Sequence, residues 1–303
     1  MNNINNISPQ KHKFLQRVSV IDNPVKSLWS SGEVEESWSE RPVVAIVGSR
    51  KPTDYGRSVT LQLSSALAAR GVIIVSGLAL GHDALAARGA IESSGTTIAV
   101  IGNGLNNIHP HSNHLLAQQI IESGGAIISE FEPDAPVYKH NFLLRNRIIA
   151  ALSDITIVVE AGERSGTLNT AAHALNQGRE LMAVPGNITS PLSTGCNRLI
   201  SQGAEPVLSV DDVLEKLHQI HASRGNNRAA DSLIGKKKAP PTDFVGNNDD
   251  ETKILRIIAS GVSDGDEILK SSRLEPSDYN VALTMLELGG RIRPLGANKW
   301  VLV

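Results

Sequence analysis

The chain has 303 residues, 41% of them hydrophobic, enough for one large domain or two smaller ones with buried cores. With 29 Lys and Arg against 31 Asp and Glu, the net charge of −2 excludes a globally basic nucleic-acid coat and leaves only a local basic groove. One cysteine, Cys196, excludes a disulfide framework or a zinc knuckle, and ten aromatics (four Phe, three Tyr, three Trp) exclude a broad stacking platform.

Residues 1–40 open polar and Asn-rich, turn mildly amphipathic around Val18–Trp29, and read as an N-terminal arm with one short helix. The opening MNNINNISPQKHKF lacks the apolar stretch of a secretory signal, and no run approaches the ~20 apolar residues that span a bilayer. A soluble cytoplasmic chain with no membrane partner is expected. From residue 43 short β-branched runs recur at Val43–Val47, Val72–Val75, Thr97–Ile101, Ala126–Ser129, Ile155–Glu160, Glu180–Val184 and Pro206–Leu208. Their lack of polar alternation suits strands buried on both faces. Helix-length segments lie between them, at Arg57–Arg70, Asp83–Ser93, His114–Ser123, Phe142–Leu152 and Thr167–Gln177. This alternation predicts an α/β fold, a doubly wound and mostly parallel sheet over 41–220, with functional loops at the carboxyl ends of the strands. About 175 residues is short for a closed eight-stranded barrel.

Residues 221–250 carry Pro, Asn, Gly and charge without apolar period and read as a linker. The block 251–303 has helical spacing at Ile254, Leu255, Ile257 and Ile258, then helices at Asp266–Ser271 and Ser277–Leu288. Arg291–Arg293 and Lys299–Val303 follow as a hairpin. Three helices and a hairpin are the layout of a winged-helix domain. Its third helix offers base edges only Asn280, with Asp278 and Glu287 opposing phosphate, so a protein contact or an auxiliary DNA role is expected.

Several strand-end loops suit an anion. Gly48-Ser49-Arg50-Lys51 pairs close backbone approach with a hydroxyl and a planar guanidinium. It is not GxGxxG, and no acidic residue closes the second strand where a ribose would need one. In Ser76–Asp83 the glycines and Asp83 read as turn architecture, and His82 as a loop residue rather than a base. His109, His111 and His114 read as exposed loop histidines, because they lack the spacing of a helical metal site. Ala161–Thr167 ends where Ser165 or Thr167 can cap a helix. The polar stretch from Pro185 through Arg198 reads as a long loop, with Cys196 as packing rather than nucleophile.

The richest segment is FEPDAPVYKHNFLLRNR, 131–147, where Phe131, Tyr138 and Phe142 lie beside Lys139, His140, Arg145 and Arg147. Rings stack bases while cations hold phosphates, and unpaired nucleic acid needs both. The competing reading sends Phe142 into the core and pairs the arginines with Glu130 or Glu132. Arg145 and Arg147 are two apart and cannot share a helix face, so one serves a ligand while the other braces the loop. GxxxxGK(S/T), GxSxG, HExxH and paired acidic motifs are all missing. That profile favours binding over turnover, with no catalytic residue, metal or cofactor expected.

VAIVGSRKPTDYG at 44–56, SGLALGHDALAARGA at 76–90 and RNRIIAALSDITIVVEAGERSGTLNTAAHAL at 145–175 resemble the DNA-processing DprA/Smf proteins. So do GRELMAVPGNI at 178–188 and STGCNRLISQGA at 193–204, in order over roughly 18–218. The terminal block is similar to the winged-helix domain many members carry. The resemblance implies a Rossmann-like homodimer that binds single-stranded DNA without base specificity, protects it during natural transformation and loads RecA recombinase. It implies a DNA pocket of Gly48, Ser49, Arg50, Lys139, Phe142, Arg145, Asn146 and Arg147 with Ser165, Gly166 and Thr167. Self-association would run through a helix at Asn197–Gln202 and the strand after it, with Leu199 and Ile200 as contacts. Leu80 and Ala87 stand where the family usually shows Arg and His, and Asn141-Phe142-Leu143 replaces His-Phe-Pro. The competing function is a nucleotide-processing enzyme of the phosphoribohydrolase type, whose PGGxGT loop Ala161–Thr167 approximates only loosely.

Overall fold

The computed structural model describes residues 4–225, 246, 248–259, 262–296 and 298–302. The chain divides into two compact units, Met1–Ile234 and Gly235–Val303. The first unit is built on a nine-stranded sheet in the order β1-β2-β6-β5-β4-β3-β7-β8-β9. Its strands are β1 (Ile4–Ile7), β2 (Leu28–Ser31), β3 (Val43–Val47), β4 (Ile73–Ser76), β5 (Thr97–Ile101), β6 (Ala126–Ser129), β7 (Ile155–Val158), β8 (Glu180–Ala183) and β9 (Glu205–Pro206). The strands from β3 to β9 pair in parallel, and β1 and β2 form an antiparallel edge.

The helices are α1 (Asp54–Ala68), α2 (His82–Glu92), α3 (His114–Glu122), α4 (Lys139–Leu152), α5 (Gly166–Asn176), α6 (Thr194–Ser201) and α7 (Val210–Ser223). Alternate residues of a strand face opposite sides of a sheet. Accordingly Val43, Ala45 and Val47 of β3 enter the core under α4, α5 and α6, while Val44 and Ile46 enter the one under α1, α2 and α7. From β3 the chain winds outward through β4, β5 and β6, then returns through α4 to β7 on the other side of β3. This reversal leaves a crevice at the carboxyl ends of β3 and β7, the position where open α/β sheets bind ligands.

The expected arm over 1–40 is instead built into this unit. Its β2 pairs antiparallel with β6, Trp29 opposite Ser129, and Phe14, Leu15, Val18, Val25, Leu28 and Trp38 lie in the main core. Phe14 and Trp38 meet edge-on with centroids 5.7 Å apart. The segment holds two short strands and three 3-10 turns, with Phe14 and Val25 between them. No single period runs through such segments, so their pattern reads as irregular. The expected linker also begins later than 221. His221 is buried at the end of α7, where Nε2 lies 3.2 Å from Asp154 Oδ2. Most of the linker, 226–245 and 247, lies outside the described residues.

The second unit has helices α8 (Asp249–Ala259), α9 (Gly265–Ser272) and α10 (Pro276–Leu288), then β10 (Ile292–Gly296) and β11 (Lys299–Leu302), which pair antiparallel. Ile254, Leu255, Ile258, Ile268, Leu283 and Leu286 form its separate core. The expected three helices and hairpin are present.

Candidate nucleic-acid interface

The crevice between β3 and β7 holds a cleft of about 330 Å³, and chain segments far apart in sequence supply its walls. The first wall is the turn after β3. The Ser49 N–H donates to Glu160 O at 2.9 Å, and Ser49 O accepts from His82 N–H at 3.3 Å, so both neighbouring loops hold the turn. Gly48 is required here, because a Cβ would stand 2.4 Å from Cδ2 of the His82 ring. Arg50 is exposed, and its guanidinium lies 5.7 Å from the centroid of the Phe142 ring. That distance is within cation–π range.

The second wall is the first half of α4. Phe142, Arg145, Asn146 and Ile149 all line the cleft, and their i, i+3, i+4, i+7 spacing places them on one helix face. Phe142 is half-buried, with the His109 ring tilted against it at 5.7 Å. It lines the cleft rather than entering the core. Arg145 is buried and donates through Nη1 to Gly77 O at 2.7 Å and to Val100 O. Its Nε has no hydrogen-bond partner. Burial lowers the Arg145 pKa to about 10 against the opposing charge of Asp83, so the group remains a cation at neutral pH. Asn146 Nδ2 donates to Asn169 Oδ1 at 3.2 Å and ties α4 to α5.

The third wall is the start of α5, where Ser165, Gly166 and Thr167 line the cleft. Ser165 caps the helix, its Oγ accepting from Thr167 N–H at 3.2 Å. The positive end of the helix dipole therefore sits at the cleft. Asp83 also reaches the lining, but its carboxylate accepts from Gly77 N–H at 3.1 Å and Ala79 N–H at 3.4 Å. The architectural reading of Asp83 matches this geometry. Burial pushes its pKa up, with Arg145 opposing.

Two expected site residues lie elsewhere. Lys139 is exposed at the first position of α4, one turn before Phe142, on the approach to the cleft rather than in its lining. Arg147 is buried and committed internally. Its Nη2 pairs with Glu130 Oε1 at 2.6 Å, and its Nε donates to Asn23 O at 3.0 Å. Of the two arginines, Arg145 faces the cleft and Arg147 braces the N-terminal segment against α4. Of the stretch read as a polar loop from Pro185 through Arg198, the end from Thr194 is helix, α6, whose Leu199 and Ile200 are half-buried against the main core. Cys196 is buried there, its thiol pushed up to about 12 by burial, which suits packing. His109, His111 and His114 are exposed, and no group of three or more His, Cys, Asp or Glu is arranged for a metal among the described residues.

Sequence reasoning missed a buried polar network behind the first wall. His82 opens α2 rather than sitting in a loop, and its ring has two partners. Nε2 is 3.0 Å from Glu160 Oε2, and Nδ1 is 2.6 Å from Thr60 Oγ1. The Glu160 carboxylate also accepts from the N–H of Thr53 at 2.9 Å and from its hydroxyl. Burial lowers the His82 pKa, against the Glu160 hydrogen bond. One signal was present, an acid closing the apolar run ITIVVE. A carboxylate in that position must find donors inside the fold.

A family model described as DNA recombination-mediator protein A matches residues 5–218, and one for the DprA winged helix domain matches 236–298. Protein Smf of Escherichia coli is 46% identical over 202 residues, 67% of this chain and 53% of its own length. A putative DNA processing protein DprA of Mycobacterium tuberculosis is 35% identical over 264 residues, 87% of this chain and 65% of its own. The chain thus spans between about half and two thirds of these two relatives. DNA processing protein A from Streptococcus pneumoniae superposes with a TM-score of 0.65 at 36% identity, covering 71% of this chain and 74% of that one. The protein from Helicobacter pylori, whose structure concerns a single-stranded DNA binding mode, gives 0.64 at 30%, covering 73% and 97%. With both units matched in order and the sheet shared with solved members, this chain belongs to the DNA recombination-mediator protein A family, the DprA/Smf proteins.

Proposed function

We propose that the protein is a binding protein rather than an enzyme, and that it holds single-stranded DNA without regard to base sequence in the β3–α4–α5 cleft. The carrying observation is the Arg50 guanidinium over the half-buried Phe142 ring, with the buried Arg145 cation lining the same cleft. Every base has a face that can stack on a ring, and every nucleotide has a phosphate, so this pairing accepts any unpaired sequence. Gly48, Ser49, Asn146, Ser165, Gly166 and Thr167 supply close backbone approach and hydroxyls around it, and Lys139 adds a cation on the approach. The family relationship supports a role in protecting incoming DNA in the cytoplasm and loading RecA recombinase during transformation and recombination. It also supports a homodimer through Leu199 and Ile200 of α6.

In a mobility shift with oligo-dT, Arg50→Ala and Lys139→Ala weaken binding, and each lowers the slope of log affinity against log salt by about 0.7, one phosphate on a single strand. Unchanged affinity in both variants overturns the site. Faster RecA filament growth on single-stranded DNA in the presence of the protein tests the loading role.

A further inference from the structure

The start of α4 and the segment entering it carry exposed apolar side chains. Val137 is 38% exposed and Tyr138 53%, and Leu143, at the lip of the cleft, is 49% exposed. Lys139, which follows Tyr138 directly, is also exposed, and Arg50 lies over Phe142. The Tyr138 and His140 rings are stacked, with centroids 5.6 Å apart and planes only 16° from parallel. Both residues are exposed, so the pair projects from the protein as a preformed platform.

We propose that Tyr138 and His140 form a second stacking subsite for an unpaired nucleobase, one step along the strand from the base at Phe142, with Lys139 neutralising a phosphate between the two. Three features support the occupant. A near-parallel ring pair presents a flat face of the kind a base stacks against. A cation directly between Tyr138 and His140 in sequence matches a ligand that alternates rings with phosphates. Phe142 follows Tyr138, the N-cap of α4, by four positions, about one helical turn, which is within reach of a neighbouring nucleotide. Base faces in a duplex are already covered by neighbouring pairs, so the platform selects for single strands. This inference rests on the DNA-binding reading of the cleft.

The test places 2-aminopurine, whose fluorescence falls on stacking, at successive positions of an oligo-dT bound by the full chain. Two quenched positions are expected. Tyr138→Ala restores fluorescence at one of them and weakens binding about tenfold, consistent with losing one stacked base. Tyr138→Phe keeps both signals. Tyr138→Ala with unchanged affinity and quenching, while Phe142→Ala and Arg50→Ala lose binding, overturns the second subsite and leaves the cleft reading intact. Loss of neither signal in any of these variants overturns both.

Discussion

Gly48 shows how one missing Cβ connects the core to the site. The His82 ring it faces is held at both nitrogens, by Thr60 and by Glu160, so it cannot swing away from an added methyl group. Gly48→Ala is therefore expected to destabilise the first unit by about 1–3 kcal/mol, the usual cost of overpacking. It should also displace the Ser49-Arg50 turn and weaken oligo-dT binding. A thermal melt and a titration on the same variant check both, and an unshifted melt refutes the locked ring. The same scale explains why the two arginines of RNR were inseparable in the sequence. Spacing alone says that they diverge, while the positions of Glu130 and Asn23 decide that Arg147 is the brace.

At the scale of elements, α4 joins the two roles. Its Phe142 face lines the cleft, and Ile148, Ala151 and Leu152 sit in the main core. The parallel strands were legible because a strand buried on both faces needs an unbroken apolar run. Those of β3, β5 and β6 coincide with the expected bounds. The edge strands β1 and β2 were not legible, since each has only four residues and neither alternates: Ile4 and Ile7 are half-buried around exposed Asn5 and Asn6, and β2 is buried except at Trp29. In the second unit, Val281, Met285 and Leu288 stand exposed along α10 at 64%, 55% and 78%, with i, i+4, i+7 spacing. That stripe favours a protein contact over base reading by the third helix. A chain ending at residue 245 should accordingly keep its affinity for oligo-dT, because every lining residue of the cleft belongs to the first unit. A mobility shift that loses the complex on truncation would reverse this assignment.

For the whole molecule, buried titratable groups set the response to acid. Burial holds the His82 pKa below its ordinary value near 6.5, and His173 is lowered in the same way. As pH falls through that value, the unfolded chain takes up protons that the folded chain refuses. Stability from these two groups is complete above about pH 6.5 and declines below it. Asp154 answers in a different window. Burial works to raise its pKa, but His221, Arg17 and Arg224 together hold it below the carboxylate range, so its contribution survives until pH falls below about 4. Urea midpoints should therefore drop between pH 7.5 and 5.5, and His82→Gln should flatten that slope while leaving the lower-pH loss in place. Among the described residues no helix is long and apolar enough to cross a membrane.

By itself the sequence determined the layered α/β architecture, the winged-helix block and the loops that carry Gly48, Arg50, Phe142 and Ser165. Those properties are local, written in runs, periods and turn residues within a few positions of one another. Only the tertiary structure decided that β7 pairs with β3 and so opens the crevice at their carboxyl ends. It also decided that Arg145 rather than Arg147 enters that crevice, that His82 finds Glu160, and that the first forty residues complete the sheet. Each of these is a choice of partner across many residues of chain, made by which surfaces bury one another, and periodicity along the chain carries no record of it.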